Sequence, residues 1–255
     1  MGIGHRPDRE LSVTDDITGQ APHQAGNTWI CADLGTSDYE EVRRLQVALV
    51  AARKSGLITE DVLLLVEHPP VLTLGRRGGL EHLAVSEAFL GKLGIPIVAV
   101  ERGGNITFHG PGQLVGYPII DLHAAELTAT GYVYRLEEVM IRTAAHWGVH
   151  AGRDPVNRGV WVGKRKLGSI GIAVRRGIAF HGFALNVNLS LEPFGWINPC
   201  GLHGITMTSL ERELSTEMTM EEVREEVKSN IETVFRMELT PTDSGFLKRL
   251  LNESV

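Results

Sequence analysis

The alternation of apolar and polar residues along the chain predicts a mixture of strands and helices. The apolar run 62–66 (VLLLV) is typical of a strand that is buried on both faces of a sheet. Two later runs flank the basic turn Arg175-Arg176-Gly177, so we predict a β-hairpin there. Strands are predicted at 28–32, 62–66, 71–75, 97–100, 167–174 and 178–189.

Apolar residues that recur every three or four positions predict the helices. Ser37 with Glu40, and Thr219 with Glu222, have the spacing of a capping box, which satisfies N–H groups at the start of a helix. Gly56 is expected to end the first helix. The predicted helical segments are 37–56, 86–93, 133–147, 219–234 and 243–252.

The order of these elements predicts one mixed α/β domain without an internal repeat or linker. Residues 1–27 are polar and aperiodic, which is typical of a mobile N-terminal tail. We therefore assign 28–255 to a single domain with a small helical C-terminal part.

Composition and charge narrow the function classes. The 255 residues are 43% hydrophobic and carry a net charge of −6 without a basic tract, so nucleic acid is not an expected partner. An acidic carrier protein could still dock on a local basic patch. No apolar run is long enough to span a membrane, and Cys31 and Cys200 are too few for a disulfide framework. These features favour a cytoplasmic protein without a membrane partner.

Nucleotide and metal motifs do not fit the sequence. Gly110-Pro111-Gly112 lacks the third glycine of the dinucleotide fingerprint, and Arg165 follows Lys164 where a P-loop has Ser or Thr. Cys200 and His203 have the spacing of half a zinc site, but no second Cys/His pair completes it. We predict neither a metal nor a cofactor.

Three stretches concentrate chemistry-bearing residues: 102–113, 163–173 and 198–202. The first has four glycines in eleven positions, bracketed by Arg102 and His109, which indicates a backbone that approaches a ligand closely. A turn-rich hairpin with incidental polar residues is the plainer alternative. In the second stretch, strand alternation predicts one face shared by four residues, Lys166, Gly168, Ile170 and Ile172.

The third stretch contains a candidate nucleophile. Cys200 lies between Pro199 and Gly201, which places it in a turn, whereas Cys31 has the surroundings of an ordinary strand core. A free thiol has a pKa of about 8.5, so nucleophilic catalysis needs a nearby cation that stabilises the thiolate. The ammonium of Lys166, or an imidazolium of His109 or His203, could supply that charge; the sequence alone does not choose among them.

The combination of segments closely resembles the lipoyl(octanoyl) transferase family. The resemblance covers about 28–240 and rests on five segments: EHPPVLTLGRRG (67–78), RGGNITFHGPGQLVGYPIIDL (102–122), GKRKLGSIG (163–171), HGFALNVN (181–188) and INPCGL (197–202). It implies the catalytic fold of biotin and lipoate protein ligases, a central mixed β-sheet flanked by helices. It also implies transfer of an octanoyl group from octanoyl-acyl carrier protein to a lysine of lipoyl domains, including those of 2-oxoacid dehydrogenases and the glycine-cleavage H protein.

The resemblance also implies roles for individual residues. Cys200 is the nucleophile that becomes an acyl thioester, and Lys166 lowers the pKa of its thiol. The implied substrate-binding residues are Arg102, Gly103, Gly104, Asn105, Ile106, Thr107, Phe108, His109, Ser169, Ile170, Gly171, Gly182, Phe183 and Ala184. For the eight-carbon chain we expect an apolar slot lined by Leu74, Ile170 and Phe183.

Three other functions remain open at this stage. An ATP-dependent lipoate or biotin protein ligase would share the fold but would not need a nucleophilic cysteine. A non-catalytic module that binds an acyl carrier or a lipoyl domain would leave Cys200 idle. A cysteine hydrolase that uses His109 would release free octanoate instead of forming an amide.

Overall fold

The computed structural model describes residues 28–198, 206–243 and 245–247. Its strands are β1 (Thr28–Thr36), β2 (Asp61–Glu67), β3 (Val71–Leu74), β4 (Ile97–Ala99), β5 (Ile106–His109), β6 (Gln113–Asp121), β7 (Gly152–Arg153), β8 (Val160–Val162), β9 (Arg165–Arg175), β10 (Ile178–Asn186), β11 (Thr206–Met207) and β12 (Glu238–Thr242). Its helices are α1 (Tyr39–Ser55), α2 (Glu87–Lys92), α3 (Ala129–His146), α4 (Leu210–Leu214) and α5 (Met220–Phe235).

Within the described residues, nine strands form a mixed central sheet. Its order is β12-β1-β2-β6-β10-β9-β8-β7, and β11 adds to β9. The pairs β1–β2, β1–β12 and β9–β11 are parallel and the other pairs are antiparallel. Every residue of β10 is buried, as expected for a strand in the middle of a sheet that is covered on both faces.

Helices cover the two faces of this sheet. Helix α1 packs on one face, where Leu49 and Val50 join Leu64 of β2 in a buried cluster. Helices α3 and α5 pack against each other on the other face, where Met140 and Val227 join a larger cluster with Leu63 of β2. Alternate residues of β2 therefore enter opposite cores. The prediction of a central mixed sheet flanked by helices is confirmed.

A second, three-stranded sheet lies beside the first and was not predicted as a separate unit. Its order is β4-β3-β5, with β3 parallel to β4 and antiparallel to β5. Phe108 of β5 packs edge-on against Phe194, with ring centroids 5.7 Å apart, in a cluster that also contains Leu72 and Met207. This cluster joins the small sheet to the segment that leads into residues 199–205, which lie outside the described residues.

Most element predictions are confirmed, including the β9–β10 hairpin and the helix that starts after Thr219. The start of α1 was predicted one residue too early. Asp38 is the N-cap, and its carboxylate accepts from the Glu41 N–H, whereas the Ser37 hydroxyl donates to the Leu34 carbonyl. Gly56 ends this helix with a φ of 77°, a backbone conformation that glycine adopts without strain.

Two predictions near the helices need correction. Helix α3 begins at Ala129, four residues earlier than predicted, because Thr128 caps it by accepting from the Gly131 N–H. The C-terminal part contains strand β12, which the sequence analysis missed; Pro241 in its middle obscures the strand pattern and is tolerated because β12 is an edge strand. The predicted tail, 1–27, and most of the predicted last helix lie outside the described residues, although 245–247 are helical.

Within the described part of the chain, no helix combines the length and apolar character that crossing a membrane requires.

We predict that the sheet will not accept a side chain at Gly182. A Cβ built there would lie 2.2 Å from the Gly116 carbonyl oxygen, which belongs to the backbone of β6 and cannot move aside. Gly182→Ala should therefore lower the free energy of unfolding by about 2 kcal/mol, measured by urea denaturation. The control is Gly91→Ala in α2, where a Cβ meets nothing within 4 Å and alanine favours the helix. Equal stability of the two variants would contradict the prediction.

Candidate functional site

A cavity lies between the two sheets, beside the start of α1. Its walls come from the loop before β5, the middle of β9 and β10, and the short strand β11. Of the residues that the sequence analysis assigned to substrate binding, all but two line it: Arg102, Gly104, Asn105, Ile106, Thr107, His109, Ser169, Ile170, Gly171, Gly182, Phe183 and Ala184. Lys166 lines it as well.

Three predicted residues do not line the cavity. Gly103 donates its N–H to the Ile172 carbonyl and fastens the loop to β9. The Phe108 side chain belongs to the cluster around Phe194, and Leu74 packs against the same cluster. Leu74 was therefore a wrong choice for the apolar slot. Ile170 and Phe183 are among the lining residues, but their side chains pack with Met140 in the core against α3.

The cavity has further walls that the sequence analysis missed. They are Tyr39, Val115, Tyr117, His181, Phe194 and Met207. Val115, Tyr117 and His181 lie within segments that carry the family resemblance, and that was the available signal for them. The other three come from elements far apart in sequence, and no local pattern indicates that they meet.

Arg102 explains part of the glycine density around the cavity. Its Nη2 donates to the carbonyl oxygen and the hydroxyl of Thr73, at 2.8 and 2.7 Å, and its Nη1 donates to the Gly103 carbonyl. A Cβ at Gly171 would lie 2.8 Å from Arg102 Cδ, and a Cβ at Gly75 would lie 2.7 Å from Nη1. The glycines therefore leave room for a buried guanidinium that ties the loop to β3.

The loop that begins at Arg102 uses its carbonyls to bind a neighbouring loop. The N–H groups of Arg76 and Arg77 donate to the carbonyls of Arg102 and Gly104, at 2.9 and 3.0 Å. Two loops thus form one rigid wall of the cavity.

Lys166 enters the cavity through an irregularity in β9. Trp161 of β8 pairs with Lys166, but the preceding residue, Val160, pairs with Gly168, so Leu167 is an extra residue in β9. Such a bulge reverses the alternation of side chains. A side chain at Gly168 would run into Met140 of α3, on the face opposite the cavity. The prediction that Lys166 shares a face with Gly168, Ile170 and Ile172 is therefore wrong.

The surroundings of Lys166 are enclosed. The residue is 5% exposed, and its Nζ lies 5.3 Å from the centroid of the Trp161 ring. Met207 of β11 pairs with it in register, and the Thr208 N–H donates to the Lys166 carbonyl at 2.9 Å. The chain that returns from residues 199–205 is thus bound to the strand at this lysine.

A carboxylate holds β11 against β9. Glu213 of α4 accepts two hydrogen bonds from the Arg165 guanidinium, at 2.8 and 2.7 Å, and a third from the Thr208 hydroxyl. The hydrogen bond from Arg165 is the main reason why the pKa of Glu213 is lowered. Arg165 and Thr208 flank the pair formed by Lys166 and Met207, so Glu213 connects the two strands around that pair.

Two histidines that line the cavity, His109 and His181, and a third behind Tyr117, His68, are uncharged at neutral pH. Burial lowers the pKa of His109 to about 3 and the pKa values of His68 and His181 to about 4. His109 Nδ1 lies 2.7 Å from Gln113 Oε1, and His68 Nε2 lies 2.9 Å from the Tyr117 hydroxyl. The His109 imidazolium is therefore not available as a cation beside a thiol.

Of the two cysteines, only Cys31 lies within the described residues. Cys31 is 4% exposed, and its burial raises the pKa of its thiol to about 11, so it remains protonated at neutral pH. Its prediction as a structural strand residue is confirmed. Cys200 lies outside the described residues, as does His203.

Comparisons with known proteins indicate a family. The family described as lipoyl protein ligase A/B catalytic domain matches residues 38–232. A protein of Desulfotalea psychrophila named octanoyltransferase is 52% identical over 214 residues, which cover 83% of this chain and 96% of the relative. An octanoyltransferase of Syntrophobacter fumaroxidans is 42% identical over 221 residues, which cover 87% and 96%.

Solved structures show the same fold at low sequence identity. A lipoate-protein ligase A bound with ATP superposes with a TM-score of 0.69 at 14% identity and covers 89% of this chain and 93% of that one. A bipartite lipoate protein ligase of Thermoplasma acidophilum superposes with a TM-score of 0.67 at 15% identity and covers 89% and 91%. The similarity to these ligases concerns the fold alone.

We predict that the three buried histidines make stability depend on pH. Their folded pKa values lie below the unfolded value near 6.5, so only the unfolded chain takes up protons as the pH falls below 6.5. Each histidine should therefore lower the free energy of unfolding by up to about 1.4 kcal/mol per pH unit until its folded pKa is reached. Urea denaturation at pH 7, 6 and 5 measures this slope. His68→Gln should reduce the slope and exposed His150→Gln should not; equal slopes would contradict the assignment.

Proposed function

Because this chain belongs to the octanoyltransferase family, within the lipoyl protein ligase A/B catalytic-domain family, we propose that it transfers octanoyl groups through a thioester on Cys200. The donor in this proposal is octanoyl-acyl carrier protein, and the acceptor is a lysine of a lipoyl domain. The observation that supports the proposal most is the position of Lys166. Its buried side chain lines the cavity, and the chain that follows Cys200 returns to pair beside it.

In the first half-reaction, the thiolate of Cys200 attacks the carbonyl carbon of the carrier thioester. The bond between that carbon and the phosphopantetheine sulfur breaks, and the sulfur leaves with the electron pair and takes a proton from Lys166. The products are octanoyl-Cys200 and the free thiol of the carrier. This step exchanges one thioester for another, so it requires no ATP.

Lys166 is the preferred partner for the thiolate on physical grounds. A cation within a few ångströms of sulfur favours the ionised form of a thiol. His109 has a pKa of about 3 because it is buried, so it is neutral at the pH at which the thiolate must form. An imidazole with so low a pKa is also a weak base, which argues against a hydrolase in which His109 takes the proton from the cysteine.

In the second half-reaction, the amine of the acceptor lysine attacks the carbonyl carbon of octanoyl-Cys200. The bond from that carbon to Sγ breaks, the amine transfers a proton to the now neutral Lys166, and an amide forms. The site then returns to its starting state, a thiolate beside an ammonium. The amide is more stable than the thioester, which drives the transfer forward.

The apolar walls of the cavity support a hydrocarbon substrate. Val115, Tyr117 and Ala184 lie on one face of the paired strands β6 and β10 and line the same space. Burial of each methylene contributes about 0.8 kcal/mol, so such a site favours a medium chain over a short one. We assign the octanoyl chain to this part of the cavity.

The proposed transferase and its alternatives, a ligase, a binding module and a hydrolase, differ in whether Cys200 carries an octanoyl group. We predict that incubation with octanoyl-acyl carrier protein increases the mass of the protein by one octanoyl group. Cys200→Ser should abolish the adduct, because an alkoxide is not available at neutral pH, whereas Cys31→Ser should keep it. Intact mass spectrometry measures both.

Each outcome of this experiment separates the proposal from a rival. A wild-type chain without an adduct would favour a binding module, and amide formation by Cys200→Ser with ATP and free octanoate would favour a ligase. Release of octanoate without amide formation would favour a hydrolase.

We also predict that Glu213 supports the reaction from outside the cavity. Glu213→Gln loses the charge that holds Arg165 and Thr208, so β11 is less firmly fixed beside Lys166. Alkylation of Cys200 by iodoacetamide at pH 7 should slow several-fold, in the same direction as for Lys166→Met. The control is Glu211→Gln, on the same helix. At pH 10 an accessible thiol with an ordinary pKa is ionised without help from a cation. Slowing by Glu213→Gln that persists at this pH would indicate lost access to Cys200 rather than a displaced cation and would contradict the prediction.

A further inference from the structure

Two consecutive arginines stand exposed at the wall of the cavity. Arg76 and Arg77 follow β3, and their N–H groups donate to the carbonyls of Arg102 and Gly104, residues that line the cavity. A Cβ at Gly78 would lie 2.6 Å from the Asn105 backbone, so the two loops touch through their main chains. The backbone that carries both arginines is therefore rigid relative to the cavity.

Arg76 and Arg77 differ from Arg43 and Arg165, which both form ion pairs with a carboxylate of the protein. Within the described residues, neither guanidinium has a carboxylate oxygen within 4.0 Å. Arg43 pairs with Glu101 at 3.1 Å and Arg165 pairs with Glu213 at 2.7 Å. Two adjacent positive charges are thus presented to solvent by a chain whose net charge is −6.

The donor in the proposed reaction carries an anion at a fixed place. Its acyl group hangs from a phosphopantetheine arm, whose phosphodiester lies at the end away from the thioester. When the thioester is inside the cavity, the phosphodiester must remain outside, near the rim. Guanidinium groups bind phosphate oxygens with paired, charge-assisted hydrogen bonds, and arginine is better suited to this geometry than lysine.

We propose that Arg76 and Arg77 bind the phosphodiester of the donor's phosphopantetheine arm. This inference rests on the proposed function, because it assigns a binding site to the donor of that reaction. Neither side chain lines the cavity, so their role is to hold the arm and not to act on the thioester. The phosphate contact favours the loaded carrier over small thioesters that lack a phosphate.

The test compares donors with and without the phosphate. Wild-type enzyme and the double variant R76Q/R77Q are supplied with octanoyl-carrier protein, S-octanoyl-4′-phosphopantetheine or S-octanoyl-pantetheine, and octanoyl transfer to a lipoyl domain is measured. We expect KM for both phosphate-containing donors to rise about tenfold in R76Q/R77Q, with kcat unchanged, because charged contacts outside the reacting centre act on binding. KM for S-octanoyl-pantetheine should stay the same.

A matched control removes two positive charges elsewhere. Lys92 at the end of α2 and Arg176 in the β9–β10 turn are both exposed, and neither residue lines the cavity. K92Q/R176Q should keep the wild-type KM for all three donors. An equal rise for this variant would show a general effect of net charge and overturn the assignment.

The remaining outcomes are also decisive. A KM for S-octanoyl-pantetheine that rises as much as the others in R76Q/R77Q would show that the loop, not the phosphate contact, is affected. A rise in KM for the lipoyl domain alone would assign the arginines to the acceptor instead. Wild-type enzyme that forms no octanoyl adduct with any donor would overturn the proposed function, and this proposal with it; an adduct without any KM change in R76Q/R77Q would overturn this proposal alone.

Discussion

The pairing of β11 with β9 is the contact on which the rest of the site depends. Met207 and Lys166 are in register, and the Thr208 N–H binds the Lys166 carbonyl. A two-residue strand has few hydrogen bonds of its own, so additional contacts must hold it in place. Glu213 does so from one side, and Asn186 of β10 does so from another by donating to the Thr208 carbonyl. The end of the 199–205 segment is thereby fixed to the lysine by contacts outside the cavity.

Burial of the residues in and behind the cavity wall determines which of them carry a charge. A buried imidazole loses its charge because water no longer stabilises the protonated form, and three histidines here are neutral for that reason. Arg102 keeps its charge because a guanidinium is protonated at any accessible pH and because Thr73 and Gly103 accept its hydrogen bonds. The cavity wall is therefore charged at Arg102 and polar but uncharged at His109 and His181.

Local patterns predicted most elements, because hydrophobic periodicity and caps depend on neighbouring residues. Thr219 with Glu222 gave the start of α5, and the turn at Arg176 gave the β9–β10 hairpin. The orientation of Lys166 could not be predicted, because the bulge at Leu167 is visible only when β9 is paired with β8.

For the site, the sequence motifs predicted which segments line the cavity but not which side chains face it. Motif segments brought together most of the lining residues, but motifs say nothing about which way a side chain points. Phe108 lies within a motif and yet faces the cluster around Phe194. Tyr39 and Met207 belong to elements near opposite ends of the described chain, and only the completed fold brings them to one cavity.

The position of β12 at the edge of the central sheet, beside β1, affects how the sheet forms during synthesis. Strand β1 is bordered on one side by β2 and on the other by β12, the last strand of the described residues, and Thr28 lies opposite Glu238. During synthesis β1 leaves the ribosome with the hydrogen-bonding groups of its outer edge unpaired, and β12 is synthesised after every other described strand of the sheet. Until then, that exposed edge is open to pairing with other nascent chains, and closure of the sheet is a late event in folding.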